Sequence, residues 1–165
     1  MANSNQPESS PQFPIIPGYT IKREISSGGF GRVYEATEVA LNRRVALKSL
    51  HSVDEIGETK HEAHRLFFEK EWKFIAQFSH PNIVRVHTVV QADDGRDFLV
   101  QEYFDTTLKD YLENHGRLSV GQAIDVAIQL CQALHEIDRK NIVHRDIKPG
   151  NTFLMLAEDG TIERA

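Results

Sequence analysis

Between residues 19 and 50 the sequence offers three β-prone runs joined by connections long enough only for tight turns. The runs are residues 19–25, 32–36 and 44–50, with Ser27-Gly28-Gly29 between the first pair and Leu41-Asn42-Arg43 between the second. Strands joined this closely return antiparallel, because a parallel return needs a crossover of about a dozen residues or more. A helix is predicted next, at about residues 62–78, closed by His80-Pro81, since the residue before a proline disfavours the helical region. Two further strands, residues 83–91 and 97–102, flank the turn signal Asp93-Asp94-Gly95-Arg96. Beyond Tyr103 the chain turns helical: residues 107–115 read as a short amphipathic helix, and Ser119 can cap a longer one running to about Lys140. The class is α+β.

That longer helix is apolar over more than half its circumference. Ile124, Ala127, Ile128, Cys131 and Leu134 share one side, with Val126, Leu130, Ala133 and Ile137 adjoining. It needs cover on two sides, yet only a loop, residues 152–156 and a hairpin signal at Glu158-Asp159-Gly160 follow it. The 165 residues, 40% hydrophobic and 26% charged, suit one soluble globular domain. A net charge of -5 argues against nucleic acid as a partner. Cys131 is the only cysteine, so no intrachain disulfide can form, and a buried thiol in a reducing compartment is expected. No run approaches the roughly 18 apolar residues of a membrane span. Residues 1–14 are rich in Asn, Ser, Gln and Pro and lack a secretory pattern. The expectation is a cytoplasmic protein with a disordered tail at residues 1–17 and no membrane segment.

Three regions carry chemistry. In Ser26-Ser27-Gly28-Gly29-Phe30-Gly31-Arg32-Val33, glycines let backbone N–H groups approach phosphate oxygens with no Cβ in the way, and Val33 offers an apolar face to a base. A hairpin that needs glycine for its turn explains the same residues equally well. Lys48 shares a strand face with Ala46, away from Val45 and Leu47. On the first helix Glu71 falls at the centre of an apolar arc of Phe67, Phe68, Phe74, Ile75 and Phe78. A carboxylate there calls for a cationic partner, and Lys48 is the natural candidate. A helix rotated to leave Glu71 half solvated is the alternative. In His144-Arg145-Asp146-Ile147-Lys148-Pro149-Gly150-Asn151, Asp146 can accept a hydroxyl proton, Lys148 can neutralise a transferring phosphoryl group, and Asn151 offers a hard oxygen to Mg²⁺. The pair His61 and His64 lacks further ligands nearby, so no structural metal is predicted.

Residues 26–33, Val45-Ala46-Leu47-Lys48, Glu71 and residues 144–151 resemble, in order and spacing, the signature of the protein kinase family. His80-Pro81-Asn82-Ile83-Val84 is similar to the turn after that family's C-helix, and Leu99-Val100-Gln101-Glu102-Tyr103 to the strand entering its hinge. The resemblance runs from Tyr19 onward and is to serine/threonine kinases of the bacterial, eukaryotic-like type. It implies a five-stranded antiparallel N-lobe sheet with its C-helix (residues 18–103), then the hinge and the first helices and catalytic loop of the C-lobe (residues 104–165). It also implies an ATP site. Ser26, Ser27, Gly28, Gly29, Phe30 and Gly31 would cover the phosphates, and Val33 and Ala46 would line the adenine pocket. Lys48, oriented by Glu71, would hold the α- and β-phosphates. Gln101 would be the gatekeeper, with Glu102 and Phe104 at the hinge. Asp146 would be the catalytic base, Lys148 the γ-phosphate contact and Asn151 the Mg²⁺ ligand. Lys148 marks the serine/threonine branch, hence a protein Ser or Thr hydroxyl as acceptor.

Two departures qualify the pattern. Ser26 stands where the family usually has the loop's first glycine, which implies modestly weaker nucleotide binding. The Asp-Phe-Gly and Ala-Pro-Glu elements are not among the 165 residues; residues 161–165 resemble the strand that leads into the former. The expectation is a piece of a longer kinase, inactive as residues 1–165 alone. The alternatives are an inactive ATP-binding or interaction module, self-associating through the apolar faces of the long helix, and a small-molecule phosphotransferase with a related lobe.

Overall fold

The computed structural model describes residues 13–28, 31–50 and 57–165, with the backbone alone at Lys60, His61, Phe67 and Glu71. The order is β1 (Tyr19–Gly28), β2 (Gly31–Glu38), β3 (Arg43–Leu50), α1 (Glu58–Ile75), β4 (Val86–Gln91), β5 (Asp97–Glu102), β6 (Thr106–Thr107), α2 (Leu108–His115), α3 (Val120–Asp138), a 3₁₀ turn (Pro149–Asn151), β7 (Phe153–Leu156) and β8 (Ile162–Arg164). The first five strands form the expected antiparallel sheet, in the order β1-β2-β3-β5-β4.

Alternation divides that sheet into two faces. The register sets Tyr34 opposite Leu47, Ala36 opposite Val45 and Leu47 opposite Val100. These residues, with Phe98, Ile16 and Ala92, form one hydrophobic core. Each large side chain removed from water there contributes about 1.5–3 kcal/mol. The expected tail at residues 1–17 needs correction at its end: Ile16 is buried, Phe13 packs edge-on against Tyr34 at 6.1 Å between ring centroids, and the Ile15 carbonyl accepts from the Asp93 N–H. Two apolar side chains hold this stretch to the sheet. The opposite face carries Val33, Lys48, Leu99, Ala46 and Gln101, paired as Val33 with Lys48, Lys48 with Leu99, and Ala46 with Gln101. Helix α1 reaches this face through buried Phe68, whose ring centroid lies 5.9 Å from Lys48 Nζ.

The C-terminal half has its own core of Leu108, Tyr111, Val126 and Leu154. Thr107 caps α2 by accepting from the Asp110 N–H. Ser119 caps α3 in a reciprocal box with Gln122. Val126, Ala133 and Ile137 of α3 are buried, whereas Ile124 is 53% and Ile128 51% exposed. Cys131 lies on that uncovered side and is exposed, correcting the expectation of a buried thiol. The two halves meet around residues 103–105. Asn82 donates to Gln129 Oε1 (2.8 Å) and to the Ala165 carbonyl (2.9 Å), Lys140 donates to the Gln77 carbonyl, and Arg164 pairs with Glu102.

Candidate active site

The turn between β1 and β2 begins the site. Ser26 lies opposite Val33, Ser27 opposite Arg32 and Gly28 opposite Gly31, so these residues form the two sides of a hairpin whose tip, Gly29 and Phe30, lies outside the described residues. A Cβ on Gly31 would sit 1.8 Å from the Ser49 carbonyl oxygen, so no other residue fits without moving the backbone of β3. Gly28 has open space at its Cβ position. Sheet packing thus gives Gly31 a reason to be glycine that the sequence did not reveal.

Val33, half-buried Lys48, buried Ala46 and half-buried Gln101 follow on one face, beside the hinge. Glu102 extends β5, and its N–H donates to the Arg85 carbonyl. Its carboxylate belongs to the opposite face, where it pairs with Arg164. The expected pairing of Lys48 with Glu71 lies outside the described residues, because the Glu71 side chain is not described; the backbone places Glu71 in the last turns of α1.

The loop before the 3₁₀ turn gathers the remaining groups. Lys148 Nζ lies 2.9 Å from Asp146 Oδ2, and Asn151 Nδ2 donates to the same oxygen at 2.7 Å and to the Asp146 carbonyl at 3.0 Å. The Asp146 N–H donates to His144 Nδ1 at 3.3 Å. Arg145 holds φ 66, a left-handed conformation that costs a non-glycine residue energy and concentrates at functional loops. Thr152, itself buried, fixes the loop from below: its hydroxyl donates to the Lys148 carbonyl, and its own carbonyl accepts from the Leu108 N–H. Lys148 first, then Asn151, holds the Asp146 carboxyl below the ordinary aspartate range. An ionised Asp146 is the form able to accept a proton.

Several contributors were not singled out from sequence. Phe153, two residues past Asn151, packs on Phe104 with ring centroids 5.6 Å apart, giving an aromatic surface between hinge and loop. Glu35 gathers Arg23 (2.8 Å), Arg44 (3.2 Å) and the Tyr103 hydroxyl (3.3 Å), while the Arg44 guanidinium lies 4.0 Å over the Tyr103 ring. Strand alternation would have put Glu35 on the face of Val33, but its partners come from three separate segments.

Asn151 fits a metal-binding role, because its amide nitrogen is committed to Asp146 and its carbonyl oxygen remains the coordinating atom. Among the described residues no group of three or more His, Cys, Asp or Glu converges, so a cation here would draw on phosphate oxygens and water as well. His61, half of the histidine pair considered from sequence, has no described side chain.

The family model for the protein kinase domain matches residues 19–163. A probable serine/threonine-protein kinase of Clostridium acetobutylicum is 36% identical over 147 residues, which cover 88% of this chain and 21% of that protein. Serine/threonine-protein kinase PrkC of Bacillus subtilis is 34% identical, over 82% of this chain and 20% of its own length. Serine/threonine-protein kinase PknA of Mycobacterium tuberculosis is 36% identical, over 82% of this chain and 32% of its own. The chain therefore spans about a fifth to a third of the curated relatives it matches.

Proposed function

This chain belongs to the protein kinase family, and from that premise we propose that it supplies the ATP-binding and catalytic-loop portion of a serine/threonine protein kinase. The observation that carries the reading is the convergence of Lys148 Nζ and Asn151 Nδ2 on one oxygen of Asp146. Residues 18–103 form the nucleotide lobe in this proposal, and residues 104–165 the hinge and the start of the second lobe.

Magnesium-bound ATP supplies the γ-phosphoryl group. Backbone N–H groups of residues 26–31 cover its phosphates, and Lys48, with Glu71 as its partner, holds the α- and β-phosphates. Val33 and Ala46 enclose the adenine, Gln101 guards the back of that pocket, and Glu102 and Phe104 present backbone groups to the adenine edge. Asp146 orients the acceptor hydroxyl and takes its proton as the acceptor oxygen bonds to the γ-phosphorus and the bond to the β–γ bridging oxygen breaks, releasing ADP; Lys148 moves from Asp146 to the transferring group, and the Asn151 carbonyl oxygen would hold the metal. Positioning and charge neutralisation are what phosphoryl transfer asks of a protein.

The acceptor is a Ser or Thr hydroxyl of a protein. Incubating the full-length protein with γ-labelled ATP and a protein acceptor, then hydrolysing the product, should give labelled phosphoserine and phosphothreonine. Label confined to phosphotyrosine, or none, would contradict the proposal. A cytoplasmic setting, where ATP is abundant and thiols stay reduced, belongs to the same reading; among the described residues no helix is long and apolar enough to cross a membrane. The exposed Ile124 and Ile128 favour self-association of the isolated 1–165 polypeptide through α3, the second reading in which the chain is an interaction module.

A further inference from the structure

Behind the hinge, a cleft of about 530 Å³ opens between the start of β3, the turn after α1, β4 and the β7–β8 pair. Its size falls within the range of small-ligand sites. Arg43 and Glu102 line it from the face opposite Ala46 and Gln101, and Arg44, on the face of Ala46, borders it as well; none of Val33, Ala46, Lys48 and Gln101 lines it, so the cleft is distinct from the proposed nucleotide pocket.

Cations dominate the lining. Arg43, Arg44, Arg85 and Arg164 line it, against the two carboxylates of Glu102 and Asp105. Arg43 Nε reaches outward to Glu38 at 2.5 Å, Arg44 is shared between Glu35 and Asp105, and Arg164 pairs with Glu102 through Nη2. Arg164 Nε is buried with no acceptor among the described residues. Among those residues the Arg85 guanidinium has no carboxylate or hydrogen-bond acceptor in reach, so all five of its donors are open. Two imidazoles complete the wall. His80 Nδ1 accepts from the Asn82 N–H at 3.1 Å, which leaves the proton of the neutral ring on Nε2 as a further donor. His87 is held below the ordinary histidine pKa, by partial burial first and then by Arg43, with Arg85 adding to the effect.

We propose that this cleft binds a phosphate monoester dianion, with the unpaired Arg85 as its principal ligand and His80 and Arg43 as flanking donors. A guanidinium fork matches two phosphate oxygens, and a dianion matches a wall with more cations than carboxylates. The ester is carried by a small molecule or by a phosphorylated side chain; the dianion is the shared chemistry. The site does not depend on the kinase reading, and its ligand is distinct from the ATP of the proposed nucleotide pocket.

The test follows the His80 and His87 ring signals by NMR in the full chain, at constant ionic strength. Inorganic phosphate and O-phosphoserine are titrated separately. Saturable shifts are expected with at least one probe, together with at least a tenfold weakening in Arg85→Gln. Arg117→Gln, outside the cleft, should bind as the parent does. Because the exposed Arg85 guanidinium makes no hydrogen bond or ion pair among the described residues, the variant's thermal melting should be unchanged, which separates lost binding from lost structure. Equal affinity for both probes assigns recognition to the phosphate alone, and tighter binding of phosphoserine adds a contribution from its carrier; both support the site. Absence of saturable shifts with either probe, or the same affinity in Arg85→Gln, would overturn it.

Discussion

Asp146 shows how an exposed carboxylate can still be controlled. Lys148 and Asn151 both hydrogen-bond it, and both favour its ionised form. Its folded pKa lies below its unfolded value, so its contribution to stability is fully present above about pH 3.9 and is lost as the pH falls through the lower folded pKa. A carbon-detected NMR titration should place the Asp146 midpoint below that of an ordinary aspartate, and Lys148→Met should raise it. An unchanged midpoint in the variant would remove Lys148 as the cause. Gly31 makes a second prediction at this scale. Its Cβ would also lie 2.8 Å from the Ser49 carbonyl carbon and 2.9 Å from Leu50 Cα, all backbone atoms that cannot rotate away. Gly31→Ala should cost on the order of 1–3 kcal/mol or more in urea denaturation, whereas Gly28→Ala, with open space, should leave the midpoint in place. The loop of residues 144–151 could be proposed as catalytic from sequence because its polar groups lie within eight consecutive residues. The constraint on Gly31 was not, because it is imposed by a strand paired across a turn.

Among the elements, those with local signals were the ones sequence placed well. Ser119 caps α3 where expected, β5 begins and ends as read, and α2 begins one residue later than the expected 107, with Thr107 as its cap. Ser119→Ala should cost about 1 kcal/mol, since it removes the hydroxyl that accepts from the Gln122 N–H while the residue 119 backbone N–H still donates to Gln122 Oε1; a midpoint equal to the parent's would show that the hydroxyl cap adds nothing. Helix α1 starts at Glu58 rather than about 62, after Gly57 at φ 78, and no capping side chain marks that start. It stops at Ile75 because residues 76–78 tighten into turns, with the Phe78 N–H donating to the Ile75 carbonyl. β4 begins at Val86 rather than 83, since residues 80–83 form a turn, closed by the Ile83 N–H on the His80 carbonyl, that Asn82 ties to α3 and to Ala165. Tertiary hydrogen bonds overrode an apolar run that read as strand.

At the scale of the molecule, the sheet and the helical half are joined by polar contacts around the hinge rather than by one continuous core. The Arg164–Glu102 pair and the Arg44–Asp105 contact at 3.6 Å cross that junction, and the Leu156 N–H on Asp105 holds Asp105 from the helical side. None was visible in the sequence, because each joins segments distant along the chain and no period links them. The basic cleft behind the hinge is assembled in the same way. The face toward the proposed nucleotide was more legible, since alternation alone puts Ala46 and Lys48 on one side. The proposed role of Asp146 as the base of a phosphoryl transfer can be tested by the single-turnover rate of γ-phosphate transfer to protein by the full-length protein and its Asp146→Asn variant. The parent should transfer phosphate and the variant should be slower by roughly 10²–10⁴-fold, with ATP affinity retained. Equal rates, or no transfer by the parent, would contradict it.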